Sequence, residues 1–506
     1  MDDRYDVIVV GAGNAGLSAA AATSKGGLKT LLLERNILPG GCATSFCRGR
    51  FEFEASLHEL ANVGTKEQNG SIRRLFDSLG ADVGWCTEQT AFRVLADGHG
   101  GYDATMPSGM EAFCDEMERQ VPGCRDSVVT VFKLAEEMNA AIAYLSSGKA
   151  DPNVLMNEHA DFMRMASHSV DECLEALQMP AKAQNILKTY WPYIGAKTSE
   201  LDFAHYALLL ERYIRTFPAM PEMRSHELSL ALEKAIRDSG GDIWYNCEVT
   251  ELLFDGETIC GVAAGERKWY AGHIVLNCFP STAYSQLMEA SKVPEKAAKI
   301  DSARRPGSLF FTVNLGLNRS CDELGIGDYS VFLFDSPDAG QQYDTLFDTE
   351  RSFIIANCLN KVVPNASPKG TCMLFLTTML TEEAWGEVKP EEYKRVKNRI
   401  AKRMIETYER RLGASVSPYI EEIVIAAPPT FARYLNTPDG TPYGYQIQPW
   451  DTMISRIMNA RNEGFIDGLY FVGAHAERSD GYSSTYANGR SVGERIVREV
   501  QKNVGA

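Results

Sequence analysis

A chain of 506 residues, 44% hydrophobic and 23% charged, has the make-up of a folded protein with a large core, and its length asks for two or three structural units. A net charge of -16 excludes the concentrated basic face that nucleic acid requires, so no nucleic acid partner is expected; it disfavours anionic membranes too, leaving open only local peripheral membrane contact. There is no apolar run long enough to span a bilayer and no basic stretch before the first apolar segment, and the twelve cysteines lack metal spacing, so a cytoplasmic protein with reduced thiols and no metal is expected.

Residues 5–10, YDVIVV, have the β-branched content of a buried parallel strand, and the alanine-rich segment after GAGNAG predicts a tightly packed helix. Each glycine between them excludes a side chain for its own reason: Gly11 for a tight turn, Gly13 for the approach of a pyrophosphate, Gly16 for helix packing on strand. Asn14 and Ala15 open a helix whose N–H groups and partial positive charge suit phosphate. After Gly26-Gly27, LKTLLLE predicts a second parallel strand ending in Glu34, where a carboxylate accepts from both hydroxyls of an adenosine ribose. Strand, turn, helix, strand and acid in this order mark a dinucleotide site.

Past Arg35 the chain runs through Gly40, Gly41, Cys42 and Ala43 in a glycine-rich loop carrying Arg48 and Arg50, an arrangement suited to closing over more phosphate and a second ring system. That favours FAD over NAD. Residues 106–214 carry helical periodicity with few strand signals and read as a helical cap. Residues 286–429 hold short β-rich runs, from SLFFTVNLGL to IEEIVIAA, and one charged helix, which predicts a mixed sheet with a flanking helix. Near the C-terminus GLYFVGA reads as a strand and GYSSTYANGRSVGERIVREV as the helix after it.

GAGNAG, LLLERN, PGGCATSF and RGRFEFE, together with GLYFVGAHAERSDGYSSTYANGRSVGERIV, resemble the FAD-dependent phytoene desaturase, carotenoid isomerase and retinol saturase group within the amine oxidase superfamily. The resemblance implies an α/β fold: a Rossmann-like, glutathione reductase-like FAD-binding domain assembled from 1–105, 215–285 and 430–506, a helical cap at 106–214 and a mixed-sheet substrate domain at 286–429. It implies a strand around Val249 beside the adenine, Gly473 and Ala474 near the ribityl and phosphate groups, and Gly481, Tyr482, Ser483 and Ser484 at a helix start facing the isoalloxazine. No cysteine follows Cys372, so the FAD is expected to be non-covalent.

In a flavin enzyme the protein positions the substrate and supplies or withdraws a proton. His58, in FEASLHEL, stands where the group often has a histidine. AHAERSDGYSS departs from the small, glycine-rich pattern of carotenoid desaturases; it offers His475 and Tyr482 as proton carriers and Arg478 as a bidentate clamp for a carboxylate. A second departure, Arg224-Ser225-His226, replaces the group's glycine pair, and both put a carotene substrate in doubt. Cys42 and Cys47 read as loop thiols. The expected activity is an FAD-dependent oxidoreductase acting on carbon–carbon bonds of a small, alkene-containing molecule by hydride transfer, with an amine or amino-acid oxidase as the alternative. A flavin-free binding protein on the same scaffold is opposed by the intact glycines and Glu34. No second glycine motif indicates a stable NAD(P)H site, so the electron donor or acceptor is unassigned.

Overall fold

The computed structural model describes residues 3–147, 151–459, 465–476 and 481–504. The strand Val7–Val10 is covered on both faces, which is why it is apolar throughout. It lies at the centre of a five-stranded parallel sheet in the order Leu469–Phe471, His273–Leu276, Val7–Val10, Thr30–Leu33, Asp242–Trp244. The first helix, Asn14–Lys25, is buried almost from end to end, and its alanines let the last helix, Tyr482–Val504, come close. A Cβ on Gly489 of that last helix would lie 2.0 Å from the Ala15 carbonyl oxygen.

An antiparallel sheet of three strands, Glu251–Asp255, Thr258–Ala264 and Arg267–Tyr270, adjoins this layer. Val249 precedes that sheet and is not itself in a strand, contrary to expectation. The segment is an extended crossing: Cys247 N donates to the Glu34 carbonyl at 2.9 Å and Thr250 N to that of Ala263 at 2.8 Å, so its two ends serve different neighbours.

The cover over the cavity is a seven-stranded mixed sheet in the order Ile420–Ala426, Leu309–Leu317, Cys372–Leu380, Ile354–Cys358, Ser330–Phe334, Thr90–Ala96, Tyr102–Pro107. The helix Tyr393–Leu412 packs on it through Val396, Ile400, Met404 and Tyr408, one stripe at helical spacing. The last two strands come from ahead of residue 107, so a boundary at 105 does not follow strand pairing. Thr90–Ala96 pairs in parallel with Ser330–Phe334 because its buried Phe92 and Val94 complete the core shared with the helical segment. That segment, from Met110 to Arg215, consists of helices joined by turns, with no strand among its described residues, and Arg125–Ser146 packs on Phe203–Leu210.

The glycine-rich loop also differs from expectation. It ends in a hairpin, Ser45–Arg48 against Phe51–Glu54, in which Phe51 and Phe53 enter the core while Arg48 and Arg50 stand exposed at the turn end. Arg50 pairs with Glu421 at 2.7 Å, and the Arg48 guanidinium lies 5.5 Å from the centre of the Phe46 ring; neither lines the cavity. Among the described residues no helix is long and apolar enough to cross a membrane.

Candidate active site and cofactor cradle

The cavity opens at the carboxyl ends of the parallel strands, where open α/β sheets place their ligands. Glu34 bounds one end. Its carboxylate accepts from Ala12 N at 2.7 Å and from Asn36 N at 2.7 Å, and its remaining lone pairs are suited to ribose hydroxyls. Arg35 lines the same end while donating to the carbonyls of Arg433 at 2.9 Å and Tyr434 at 3.2 Å.

The middle is a cradle of bare backbone. Gly13 caps the first helix without a side chain, and Asn14 and Ala15 present that helix start to the cavity, the geometry of an anion seat. Asn277 secures it from behind: its Oδ1 accepts from Gly16 N at 2.9 Å and its Nδ2 donates to the Val472 carbonyl at 3.1 Å. A Cβ on Gly13 would stand 2.8 Å from Asn277 Oδ1, and one on Gly41 would stand 3.3 Å from Gly13 Cα. Gly11 takes a φ of 99°, which favours glycine. A diphosphate fits where no side chain does, so the residues present suit FAD.

Gly473, with a φ of 130° and its N–H donated to Asn488 Oδ1 at 3.1 Å, carries the wall on through Ala474 to Gly481 and Tyr482 at the start of the last helix. The Tyr482 hydroxyl donates to the Cys42 carbonyl at 2.8 Å and sits 2.9 Å from Ser56 Oγ, and burial raises its pKa, so it holds its proton. Burial also pushes the Cys42 thiol up to about 11, which makes it unreactive.

Beyond Tyr482 the wall is made of side chains. Burial drives the His58 imidazole down to about 4; its Nε2 lies 3.0 Å from Thr377 Oγ1 and its ring stacks on Tyr193 at 5.9 Å. His475 is driven down to about 3 by burial and by the charges of Arg304 and Arg456, and its Nε2 has no partner among the described residues. Both imidazoles are therefore neutral at ordinary pH and cannot donate as imidazolium. Tyr193, Tyr213, Phe310 and Tyr443 complete the wall; the Tyr443 hydroxyl is fixed on the Pro192 carbonyl at 2.8 Å.

One cavity thus gathers Gly11, Gly13, Asn14, Ala15, Glu34, Arg35, Gly41, Cys42, Val249, Gly473, Ala474, Gly481 and Tyr482, together with His58 and His475. Other expected residues lie behind its surface. A Cβ on Gly16 would meet the Gly11 carbonyl oxygen at 2.0 Å, so its role is packing. Gly40 shapes the loop by donating to the Ala12 carbonyl at 2.7 Å, and Ala43 is buried with its carbonyl on Ser229 Oγ at 2.8 Å. Ser483 turns to the Ala61 carbonyl at 2.8 Å, and Ser484 follows it off the cavity. Arg478 lies outside the described residues, as do Glu477 and Asp480.

Arg224 lies apart from the cavity, at a left-handed φ of 66°, held by Glu52 and by the Ala366 carbonyl at 3.2 Å. Ser225 N donates to Glu54 at 2.8 Å, so this departure from the glycine pair fastens a helix to the hairpin. Asn277, Glu59, Tyr193 and Tyr443 were not singled out from sequence. Only Asn277 carried a usable signal, a lone polar residue ending the apolar strand HIVL.

Residues 6–137 match the family model for FAD dependent oxidoreductase. The chain is 22% identical over 478 residues to all-trans-retinol 13,14-reductase of Homo sapiens, spanning 87% of this chain and 77% of that protein. It is 20% identical over 516 residues to the chloroplastic prolycopene isomerase of Arabidopsis thaliana, spanning 99% and 84%. Among solved structures, cyclohexylamine oxidase from Brevibacterium oxydans shares the fold with a TM-score of 0.63 at 15% identity, over 98% of this chain and 99% of that one. Fold, cradle and family match together define an FAD-dependent oxidoreductase with an amine oxidase-like architecture. Within that class, the chain's sequence relatives fall in the retinol saturase and carotenoid isomerase group that its motifs resemble.

Proposed function

We propose that the chain saturates, desaturates or isomerises a carbon–carbon double bond in an alkene-containing substrate seated between the flavin and the aromatic wall. The observation that carries this reading is the wall itself: Tyr193, Tyr213, Phe310 and Tyr443 around a neutral His58 offer ring faces and edges to an unsaturated chain. The names of the relatives, a retinol 13,14-reductase and a prolycopene isomerase, support it.

When bound, FAD gives or accepts a hydride; the chain's own residues bind, orient and exclude water. The helix start at Asn14 holds the diphosphate, and Glu34 holds the ribose. The start of the last helix at Tyr482 lines the cavity, where it would favour negative charge on a bound flavin ring. The aromatic wall keeps water from the reacting carbons and fixes the substrate's face.

Anaerobic mixing with a panel of enoates, polyenes and amines, read by flavin absorbance and product analysis, tests the reading. An alkene or its saturated counterpart is expected to change the flavin spectrum with stoichiometric product. Bleaching by amines alone, with peroxide released in air, would make the chain an oxidase of amines or amino acids.

A further inference from the structure

Two buried carboxyls beside the aromatic wall have no part in the function just described. Glu59 follows His58, and Glu88 follows the strand Trp85–Thr87; they are 3% and 2% exposed. Glu59 lines the cavity and accepts from the Tyr193 hydroxyl at 2.6 Å. Glu59 Oε2 and both oxygens of Glu88 have no hydrogen-bond partner among the described residues, and the two carboxyls lie close enough for each to act on the other's titration. Ionised carboxylates only accept, so a hydrogen bond between them would need a proton on one.

The surroundings favour that proton. Burial raises the pKa of both groups, and the negative charge of Glu59 raises Glu88 further. The titratable groups facing the pair are the hydroxyls of Tyr190, Tyr193 and Tyr329, with Tyr213 and the neutral His58 stacked behind Tyr193. Tyr190 gives its own proton to the Ala91 carbonyl at 3.0 Å, and Tyr329 gives its to the His58 carbonyl.

We propose that Glu59 and Glu88 share the exchangeable proton of the reaction, and that Glu59, held by Tyr193, passes it to or takes it from the substrate carbon paired with the one that exchanges hydride. The assignment rests on the alkene reading above. In the reducing direction, one alkene carbon receives hydride from the bound cofactor. The former π pair then forms a C–H bond with the Glu59 proton, and the pair stays ionised until solvent reprotonates it. In the oxidising direction, a C–H bond breaks toward Glu59 oxygen, its electrons become the new π bond, and hydride leaves the neighbouring carbon for the cofactor. Glu59 is the catalytic residue; Glu88 and Tyr193 are positioning residues.

Infrared titration of the holoprotein tests the shared proton independently of turnover. A protonated carboxyl band is expected at neutral pH, shifted in heavy water, changed in frequency in Glu59→Gln, where buried Glu88 keeps its proton without a partner carboxyl, and moved to a lower titration range in Glu88→Gln. In single turnovers with an active alkene, Glu59→Gln is expected to slow the flavin change by at least ~100-fold with flavin content unchanged, and Glu59→Asp to restore part of it. Glu88→Gln and Tyr193→Phe are expected to displace the pH profile of the rate. The proposal is overturned if wild type lacks the band, or if Glu59→Gln keeps the full rate and full deuterium uptake from heavy water. Should Glu59→Gln fail to fold, the wild-type band and the Tyr193→Phe profile decide. A wild type inert to every alkene refutes the alkene reading instead, so the two failures are distinct.

Discussion

The two ends of the cavity are made of different material. Around the first helix the surface is backbone, with Gly11, Gly13 and Gly41 leaving no room for side chains and Asn277 bracing them from behind. At the far end it is side chain, with rings contributed by residues 193, 213, 310 and 443 from separate parts of the fold. A backbone surface cannot be altered at one position without losing its ligand, whereas a wall of rings can be exchanged ring by ring. The first end therefore fixes the cofactor, and the second selects what reacts with it.

The sharpest break of that contrast is Gly13→Val, expected to remove essentially all flavin absorbance from the purified protein, because the new side chain runs into Asn277, with Cβ 2.8 Å from its Oδ1, and displaces the helix start that seats the diphosphate. Acid should strike the side-chain end. With His58 at about 4 and His475 at about 3 against an ordinary 6.5, the unfolded chain takes up two protons that the folded one refuses. The histidine contribution to stability is fullest above pH 6.5 and is lost as pH drops toward 4, whereas buried Glu54, Glu59 and Glu88, raised above the ordinary carboxyl range, act in the opposite sense; urea unfolding of wild type and His58→Gln side by side should show wild type losing ground to the variant as pH falls. Glu34→Ala strips the acceptor from Ala12 N and Asn36 N and should weaken FAD about 10- to 100-fold, about 1.5–3 kcal/mol, with the rate largely recovered at saturating FAD. Tyr443→Phe frees one ring of the far wall; it should raise the substrate KM about fivefold, on the order of 1 kcal/mol, at unchanged flavin content. Arg50→Ala should change neither flavin content nor turnover, since Arg50 serves Glu421 on the surface; a lost flavin would return it to the cradle.

The same division explains what the sequence could reveal. Glycines at fixed offsets, a strand before them and an acid after the next strand are local signals, so the cradle was legible. Asn277 offered only its place as a polar end to the strand HIVL; its bracing role was hidden because its partner Gly16 lies 261 positions away. The facing of Glu59, Glu88 and Tyr193 arises only when the helical segment docks on the cover, and no spacing announces it. Arginines near glycines suggested phosphate ligands at 48 and 50, although the alternation in RFEFE already assigned the inward face to Phe51 and Phe53. The parallel pairing of Thr90–Ala96 with Ser330–Phe334 was likewise beyond local periodicity.

The central sheet gains its edge strand only at Leu469–Phe471, and the alanine face of the first helix is covered only by Tyr482–Val504. During synthesis, then, the helix Asn14–Lys25 waits for a segment made much later, and the nascent chain carries an uncovered apolar stripe until that segment emerges. Cofactor capture becomes a late event of assembly, the step at which these two distant segments first meet.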